Sequence, residues 1–142
     1  MAMRRQWVAG VACAVSMALS QGAQAQEKTI SIELNDATDI SGACRLVFVA
    51  VNKTGVVLDK TSYDVVTFDT AGKVGQSLTF QFGKLSLGKT KVVQFDLAGK
   101  PCKSISRLLV NDASECSVEG KASELCLEAL TTETRTKIEF GL

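Results

Sequence analysis

The sequence predicts an all-β protein, an antiparallel immunoglobulin-like β-sandwich of about seven strands with one short helix before the last strand. Short segments of alternating apolar residues recur along the chain. They are separated by turn signals such as Asn52-Lys53-Thr54-Gly55 and Asp69-Thr70-Ala71-Gly72. No predicted helix is long enough to form the crossovers that parallel strands need, which favours antiparallel sheets.

The first 25 residues have the three-part layout of a secretory signal peptide. Two arginines are followed by an apolar run that ends at Leu19 and by the small-x-small motif Ala23-Gln24-Ala25. The run is shorter than the roughly 20 residues that cross a bilayer, so a membrane anchor is the weaker alternative. We expect cleavage near Ala25, which leaves residues 26–142 as a single periplasmic or secreted domain.

The charge balance of this mature domain argues against nucleic acid as a partner. Removing the signal takes away two arginines and no acid, which leaves 14 basic and 15 acidic residues. Proteins that bind nucleic acid carry a strongly basic face. The mature sequence also has no apolar run long enough for a transmembrane span. We expect a protein or an anionic glycan as the partner.

Four cysteines remain in the mature chain, because Cys13 lies in the signal. An even number in an exported protein predicts two disulfides. Zinc is disfavoured because the chain has no histidine and no Cys-x-x-Cys pair. If consecutive strands alternate in direction, Cys44 and Cys102 lie at one end of the sandwich and Cys116 and Cys126 at the other. Of three connectivities, this favours Cys44–Cys102 with Cys116–Cys126.

The strands are predicted from period-two alternation of apolar residues. Residues 44–51 are apolar on both faces, which predicts a central strand covered on both sides. Its residues Leu46, Phe48 and Ala50 face one way, and Val47, Val49 and Val51 face the other. The remaining six strands are predicted at residues 30–34, 56–69, 77–82, 91–97, 104–111 and 134–142.

The connections follow from turn and helix signals. The polar residues 35–42 predict a loop, and a bulge or an irregular start is expected near Asp59-Lys60. Pro101 ends the fifth strand, because proline cannot donate to a ladder. Alternation lapses over residues 112–132. There Ser123 and the helix formers after it predict a short helix over residues 124–130, with a strand as the alternative.

One part of the chain resembles a known group of modules. Residues 45–73 combine the apolar strand, an Asn-x-Thr-Gly turn, Tyr63-Asp64 and a Phe68-Asp69-x-x-Gly72 hairpin. They resemble small bacterial extracytoplasmic immunoglobulin-like modules, including the FxLYD type. The whole mature chain, particularly residues 88–97, is similar to small exported proteobacterial proteins of no assigned function. The resemblance implies a fold and a compartment and no activity.

Candidate catalytic groups are scarce. Without histidine the usual nucleophile, base and acid cannot assemble, and a serine nucleophile would need lysine as its base. Two pairs of sequence neighbours, Ser104 with Lys103 and Ser86 with Lys84, are of a kind expected by chance in polar loops. Four loop aspartates could ligate Ca²⁺, although turn formation explains them equally well: Asp36, Asp39, Asp69 and Asp112. We assign no catalytic residue, no cofactor and no metal.

Basic residues are concentrated in one stretch that contains a single acid, Asp96. These six are Lys84, Lys89, Lys91, Lys100, Lys103 and Arg107. They predict a surface for an anionic partner, with solubilising charge on edge strands as the alternative. The sequence therefore favours an exported, disulfide-stabilised module that binds a partner or has a structural role and is not an enzyme. The alternative is a hydrolase that uses paired Asp and Glu carboxylates.

Overall fold

The structure, a computed structural model, describes residues 27–142. The predicted signal peptide and its cleavage site lie outside these residues. The described chain forms nine strands: β1 (Ile30–Ile40), β2 (Ala43–Asn52), β3 (Lys60–Asp69), β4 (Val74–Gln81), β5 (Thr90–Ala98), β6 (Ile105–Val118), β7 (Lys121–Ala122), β8 (Leu130–Thr134) and β9 (Glu139–Gly141). A 3-10 turn, Cys102–Ser104, precedes β6, and one short helix, α1 (Leu125–Glu128), precedes β8.

The strands form two sheets that enclose one core, which confirms the predicted all-β sandwich. One sheet has the order β5-β2-β1-β8. The other has the order β4-β3-β6-β7, with β9 also paired to β6. Most pairs are antiparallel, whereas β1 with β8 and β6 with β9 are parallel. The chain crosses from the first sheet to the second in the connection from β8 to β9.

Several predicted boundaries are wrong, and tertiary pairing explains each one. The polar residues 35–40 continue β1, because a bulge between Leu34 and Asp36 keeps this segment paired with β2. Only Ser41 and Gly42 form the turn, with Gly42 at a φ of 70°. β6 runs to Val118 because β3 pairs with it beyond the lapse in alternation. The predicted last strand, 134–142, is shortened to β9, and residues 130–134 form an additional strand, β8, that was not predicted.

The core is organised around β2, as predicted. Phe48 is fully buried, and its ring centroid lies between 5.3 and 5.9 Å from four other rings: Phe80, Phe82, Phe95 and Phe140. The Phe80 and Phe95 rings stack at 4.3 Å between β4 and β5. These two strands are the edges of their sheets on the same side. The aromatic stack therefore closes the core there.

The opposite face of β2 is not covered by a further layer, which corrects the prediction of cover on both sides. Val47 and Val49 lie on this outer face and are half-buried among side chains of the neighbouring strands. Val92 of β5, beside Val49, is 59% exposed. On the same face the Arg45 guanidinium donates two hydrogen bonds to the Asp96 carboxylate, at 2.8 and 2.9 Å. These bonds lower the pKa of Asp96 and raise that of Arg45.

Both predicted disulfides are present. Cys44–Cys102 joins β2 to the 3-10 turn, and Cys116–Cys126 joins β6 to α1. Cys116 lies within β6 rather than in a connection. The predicted short helix is confirmed as α1, and the Ser123 hydroxyl accepts a hydrogen bond from the first N–H of this helix at 3.2 Å. The two bridges brace opposite ends of the sandwich.

Tyr63 connects β3 to the segment that carries the second bridge. Its side chain is 1% exposed, and its hydroxyl donates a hydrogen bond to the Cys126 carbonyl oxygen at 2.8 Å. Burial raises the pKa of Tyr63 above its ordinary value of 10.0. The folded state therefore holds the phenol proton more tightly than the unfolded state does.

We expect Tyr63→Phe to lower the free energy of unfolding by about 1–2 kcal/mol, because the buried Cys126 carbonyl loses its donor. In the wild type the tyrosine's contribution is complete below about pH 10 and is lost as the pH rises further. The deficit of the mutant in urea melts should therefore shrink at alkaline pH. Tyr63 is the only tyrosine, so phenolate absorbance reports on it alone. A folded-state titration with an ordinary midpoint would contradict the buried hydroxyl.

Candidate functional site

A cleft of about 720 Å³ opens at the end of the sandwich that holds the Cys44–Cys102 bridge. This volume falls within the roughly 300–1,000 Å³ typical of small-molecule sites. The cleft is lined by residues 35–37 of β1, residues 135–139, Thr70 and four residues around the start of β6: Cys102, Lys103, Ile105 and Ser106. The cleft brings together segments that are far apart in the sequence.

The cleft exists because the bulge in β1 shifts by one residue which side chains of this strand face the core. Before the bulge Leu34 faces the core, whereas after it Ala37 pairs with inward-facing Leu46 and takes the inward position. A methyl group leaves space between the sheets that a larger side chain would fill. Ile105 and Ile138, each 4% exposed, complete an apolar floor.

One wall is the connection from β8 to β9, which threonine hydroxyls order. Thr134 Oγ1 donates to the Ile138 carbonyl oxygen at 3.0 Å and accepts from the Thr136 N–H at 3.1 Å. Thr136 Oγ1 accepts from the Ile138 N–H at 3.0 Å. The backbone N–H of Arg135 donates to the Leu34 carbonyl oxygen at 2.9 Å. These bonds hold the connection against β1 without any ligand.

The opposite wall is the 3-10 turn and the start of β6. The disulfide anchors Cys102, and its backbone N–H donates to the Asp39 carboxylate at 2.6 Å. Ser104 Oγ donates to the Pro101 carbonyl oxygen at 2.8 Å, so this hydroxyl is occupied in forming the turn. Ser106 Oγ donates to the Asp69 carbonyl oxygen at 2.6 Å. Both walls are therefore fixed by bonds within the protein.

The rim carries charges of both signs. Its charged side chains are Asp36, Lys103, Arg135, Lys137 and Glu139. Arg135 Nε also lies 2.8 Å from Glu33 Oε1. Hydrogen bonds from Asn35, and then from Arg135, lower the pKa of Glu33. A ligand with an apolar part and charged groups of either sign matches this arrangement.

The structure separates the six basic residues that the sequence grouped. Lys84, Lys89 and Lys91 lie together in a concavity of about 180 Å³. Lys100 follows the far end of β5, roughly 25 Å from Lys91 at the usual rise of a strand. Lys103 lies on the rim of the cleft. The linear cluster therefore does not form one continuous patch.

Arg107, the sixth basic residue, lies on β6. Its guanidinium carbon lies 5.7 Å from the centroid of the Phe68 ring, and one of its nitrogens donates to the Leu142 carbonyl oxygen at 3.3 Å. The Arg107 side chain covers the Phe68 ring on the outside of the second sheet. Its aliphatic part packs there, and its guanidinium makes a cation–π contact.

The four aspartates that were predicted to lie in loops lie within strands or at a strand end, and each accepts a hydrogen bond from a nearby group. Asp69 Oδ1 accepts from two N–H groups of its turn, both at 2.9 Å, and Asp112 Oδ1 accepts from the next N–H at 2.8 Å. Asp36 accepts from the Thr38 hydroxyl at 2.6 Å. Across residues 27–142, no three Cys, Asp or Glu side chains come together in a way that could hold a metal. The four aspartates thus have structural partners.

The cleft was not predicted from the sequence. Of the residues that line it, three were named as candidates: Cys102 as a disulfide partner, Lys103 as part of the basic stretch and Asp36 as a Ca²⁺ ligand. One signal was available: the repeat Thr134-Arg135-Thr136 is typical of hydroxyl-ordered turns. No sequence pattern indicated that Ala37 faces the core, because its orientation depends on the register of β1 with β2.

No protein-family model, no curated protein and no solved structure matches this chain. The resemblance to extracytoplasmic immunoglobulin-like modules therefore stays a prediction. In the part of the chain that the structure describes, no helix has both the length and the apolar character needed to cross a membrane.

Proposed function

We propose that this chain is an exported, non-enzymatic binding module and that the cleft beside the Cys44–Cys102 bridge is its ligand site. The observation that carries the proposal is the pre-formed cleft, with an apolar floor inside a charged rim. Both of its walls are held by hydrogen bonds or a disulfide before any ligand arrives. A site that is already ordered loses less conformational entropy on binding, which favours affinity.

Export is part of the proposal and has two supports. The two disulfides are bonds that persist in oxidising compartments outside the cytoplasm. The layout of residues 1–25 is that of a secretory signal. Together they favour a periplasmic or secreted location for the mature domain.

The chemistry of the cleft favours a protein segment over a purely anionic glycan. Ala37, Ile105 and Ile138 offer an apolar floor that a side chain of a peptide can fill. The Asp36 and Glu139 carboxylates on the rim oppose a densely anionic ligand, whereas a peptide of mixed charge can pair with both signs. We therefore infer that the cleft takes a short segment of a partner protein.

Filling the cleft should abolish binding. We expect Ala37→Leu, which extends a side chain from the floor, to lower affinity for the captured partner at least tenfold. Thr70→Trp obstructs the same cleft from its exposed rim and should have a similar effect without touching the core. Ala122→Leu, the matched control at an exposed position on β7, should bind like the wild type. Capture from periplasmic extract in low salt identifies the partner, and titration of its purified segment measures the affinity.

Equal affinity in all four proteins would show that the partner binds elsewhere. Thermal melts show whether Ala37→Leu is folded, and Thr70→Trp decides the question if it is not. No protein enriched over a charge-matched control protein would overturn the proposal of a binding module.

The hydrolase alternative gains one observation, because Asp36 and Glu139 line the same cleft. Two carboxylates across a cleft are the set that glycoside hydrolysis uses. Screening the purified mature domain against a panel of glycosides tests this alternative. Turnover that either Asp36→Ala or Glu139→Ala abolishes would replace the binding proposal with an enzymatic one.

A further inference from the structure

A second concavity lies at the opposite end of the sandwich, in the connection from β4 to β5. Its volume is about 180 Å³, and it is lined by three lysines and one serine: Lys84, Ser86, Lys89 and Lys91. No carboxylate lines it. The structure records two ion pairs in residues 27–142, Arg45–Asp96 and Arg135–Glu33, and neither includes one of these lysines.

The connection that carries the lysines is held firmly to the body of the sandwich. Leu85 is 2% exposed, and its backbone exchanges hydrogen bonds with Leu58 at 2.9 and 3.2 Å. Gly88 N–H donates to the Asn52 carbonyl oxygen at 2.9 Å. The fully buried Asn52 amide also donates to the Leu85 carbonyl oxygen at 2.9 Å. The backbone between Lys84 and Lys89 is therefore ordered before any ligand binds.

The Lys91 ammonium is fixed in place by the same connection. It donates to the carbonyl oxygens of Phe82 and Lys84, the second at 3.2 Å. An ammonium has three N–H donors, so one donor remains for a ligand. Gly83 makes room for this group, since a Cβ at that position would lie 3.3 Å from Lys91 Nζ.

We propose that Lys84, Ser86, Lys89 and Lys91 form a binding site for one tetrahedral oxyanion, a sulfate or phosphate group that is either free or borne as a monoester by a sugar. Three ammonium groups around one concavity repel each other, and a bound oxyanion relieves that repulsion. The Ser86 hydroxyl adds a neutral donor. Charge-assisted hydrogen bonds from lysine to such oxygens are among the stronger polar contacts in proteins.

This site is independent of the cleft in the proposed function. Lys84 lies beyond the end of β4, whereas the cleft lies near Thr70, just before the start of that strand. Variants of the two sites therefore do not overlap. Loss of oxyanion binding would leave the cleft proposal intact, and a failure of the cleft variants would leave this inference intact.

Titration calorimetry of the mature protein with five probes tests the site: inorganic sulfate, inorganic phosphate, glucose 6-sulfate, glucose 6-phosphate and unmodified glucose. We expect saturable binding of the anions with one site per chain, no binding of glucose, and affinity that weakens with added sodium chloride. Lys84→Gln and Lys89→Gln should each lower the affinity about two- to fivefold. Lys73→Gln, the same charge change at the other end of β4, should have little effect.

The probes also distinguish the sources of the anion. Tighter binding of the sugar esters than of the inorganic ions would assign the site to an ester-bearing glycan, and the reverse order would assign it to a free oxyanion. Absence of saturable anion binding would overturn the inference. So would an equal loss of affinity in Lys73→Gln, because the effect would then come from overall charge rather than from this concavity.

Discussion

Phe48→Ala is expected to lower the free energy of unfolding by about 3–5 kcal/mol, the range for a large aromatic side chain lost from a tightly packed core. Phe48 is fully buried on the central strand, and its ring lies within 5.9 Å of four other phenylalanine rings, which come from β4, β5, β9 and the connection after β4. No single neighbour can collapse into the space without leaving another contact. Urea melts followed by circular dichroism measure the loss.

Phe68→Ala is the matched control for this prediction. Phe68 lies on the outer face of the second sheet, half-buried next to Arg107. The same truncation there should cost about 1 kcal/mol, because little area is removed from water and no cavity forms. Similar losses for the two variants would contradict the placement of Phe48 at the centre of the core.

Removing the Cys44–Cys102 bridge by a double alanine substitution is expected to cost about 4 kcal/mol, whereas removing Cys116–Cys126 should cost about 2.7 kcal/mol. The bridges span sequence separations of 58 and 10 residues, and a longer loop restricts the unfolded chain more. The packing loss is matched, because each bridge joins one fully buried half-cystine, Cys44 or Cys126, to one half-buried partner. The difference in the free energy of unfolding between the two double mutants therefore reflects mainly the entropy of loop closure.

The second double mutant should also show local opening. Cys126 holds α1 to β6, so its loss should raise proteolysis over residues 119–128 while the two sheets remain folded. Urea melts of both double mutants show which one is less stable, provided that the slope of the free energy of unfolding against urea concentration is unchanged. If the Cys116–Cys126 mutant had the lower midpoint, α1 and its contact with Tyr63 would be part of the cooperative core rather than a segment attached to it.

Much of this fold follows from local sequence. The alternation of apolar and polar residues predicted the positions of the central strand and four others. It does so because successive side chains of a pleated strand lie on opposite faces whatever its neighbours are. The turn at Asp69 was predicted for the same kind of reason, since its carboxylate accepts hydrogen bonds from the backbone N–H groups of Ala71 and Lys73 in the same turn. The disulfide pairing was predicted from strand direction, because strands joined by hairpins alternate in direction. These features depend on contacts within a few residues or on simple connectivity.

The remaining features were decided only by tertiary contacts. The strand β8 was not predicted, and the parallel pairing of β8 and β9 depends on the free edges that β1 and β6 offer. The cleft depends on Ala37 facing the core, which follows from a bulge whose position is set by the register with β2. The six basic residues looked like one cluster, but the length of β5 puts Lys91 and Lys100 at opposite ends of the molecule. Sequence alone therefore determined the class of fold and its covalent bridges, while register and strand length in three dimensions decided where its concave surfaces lie.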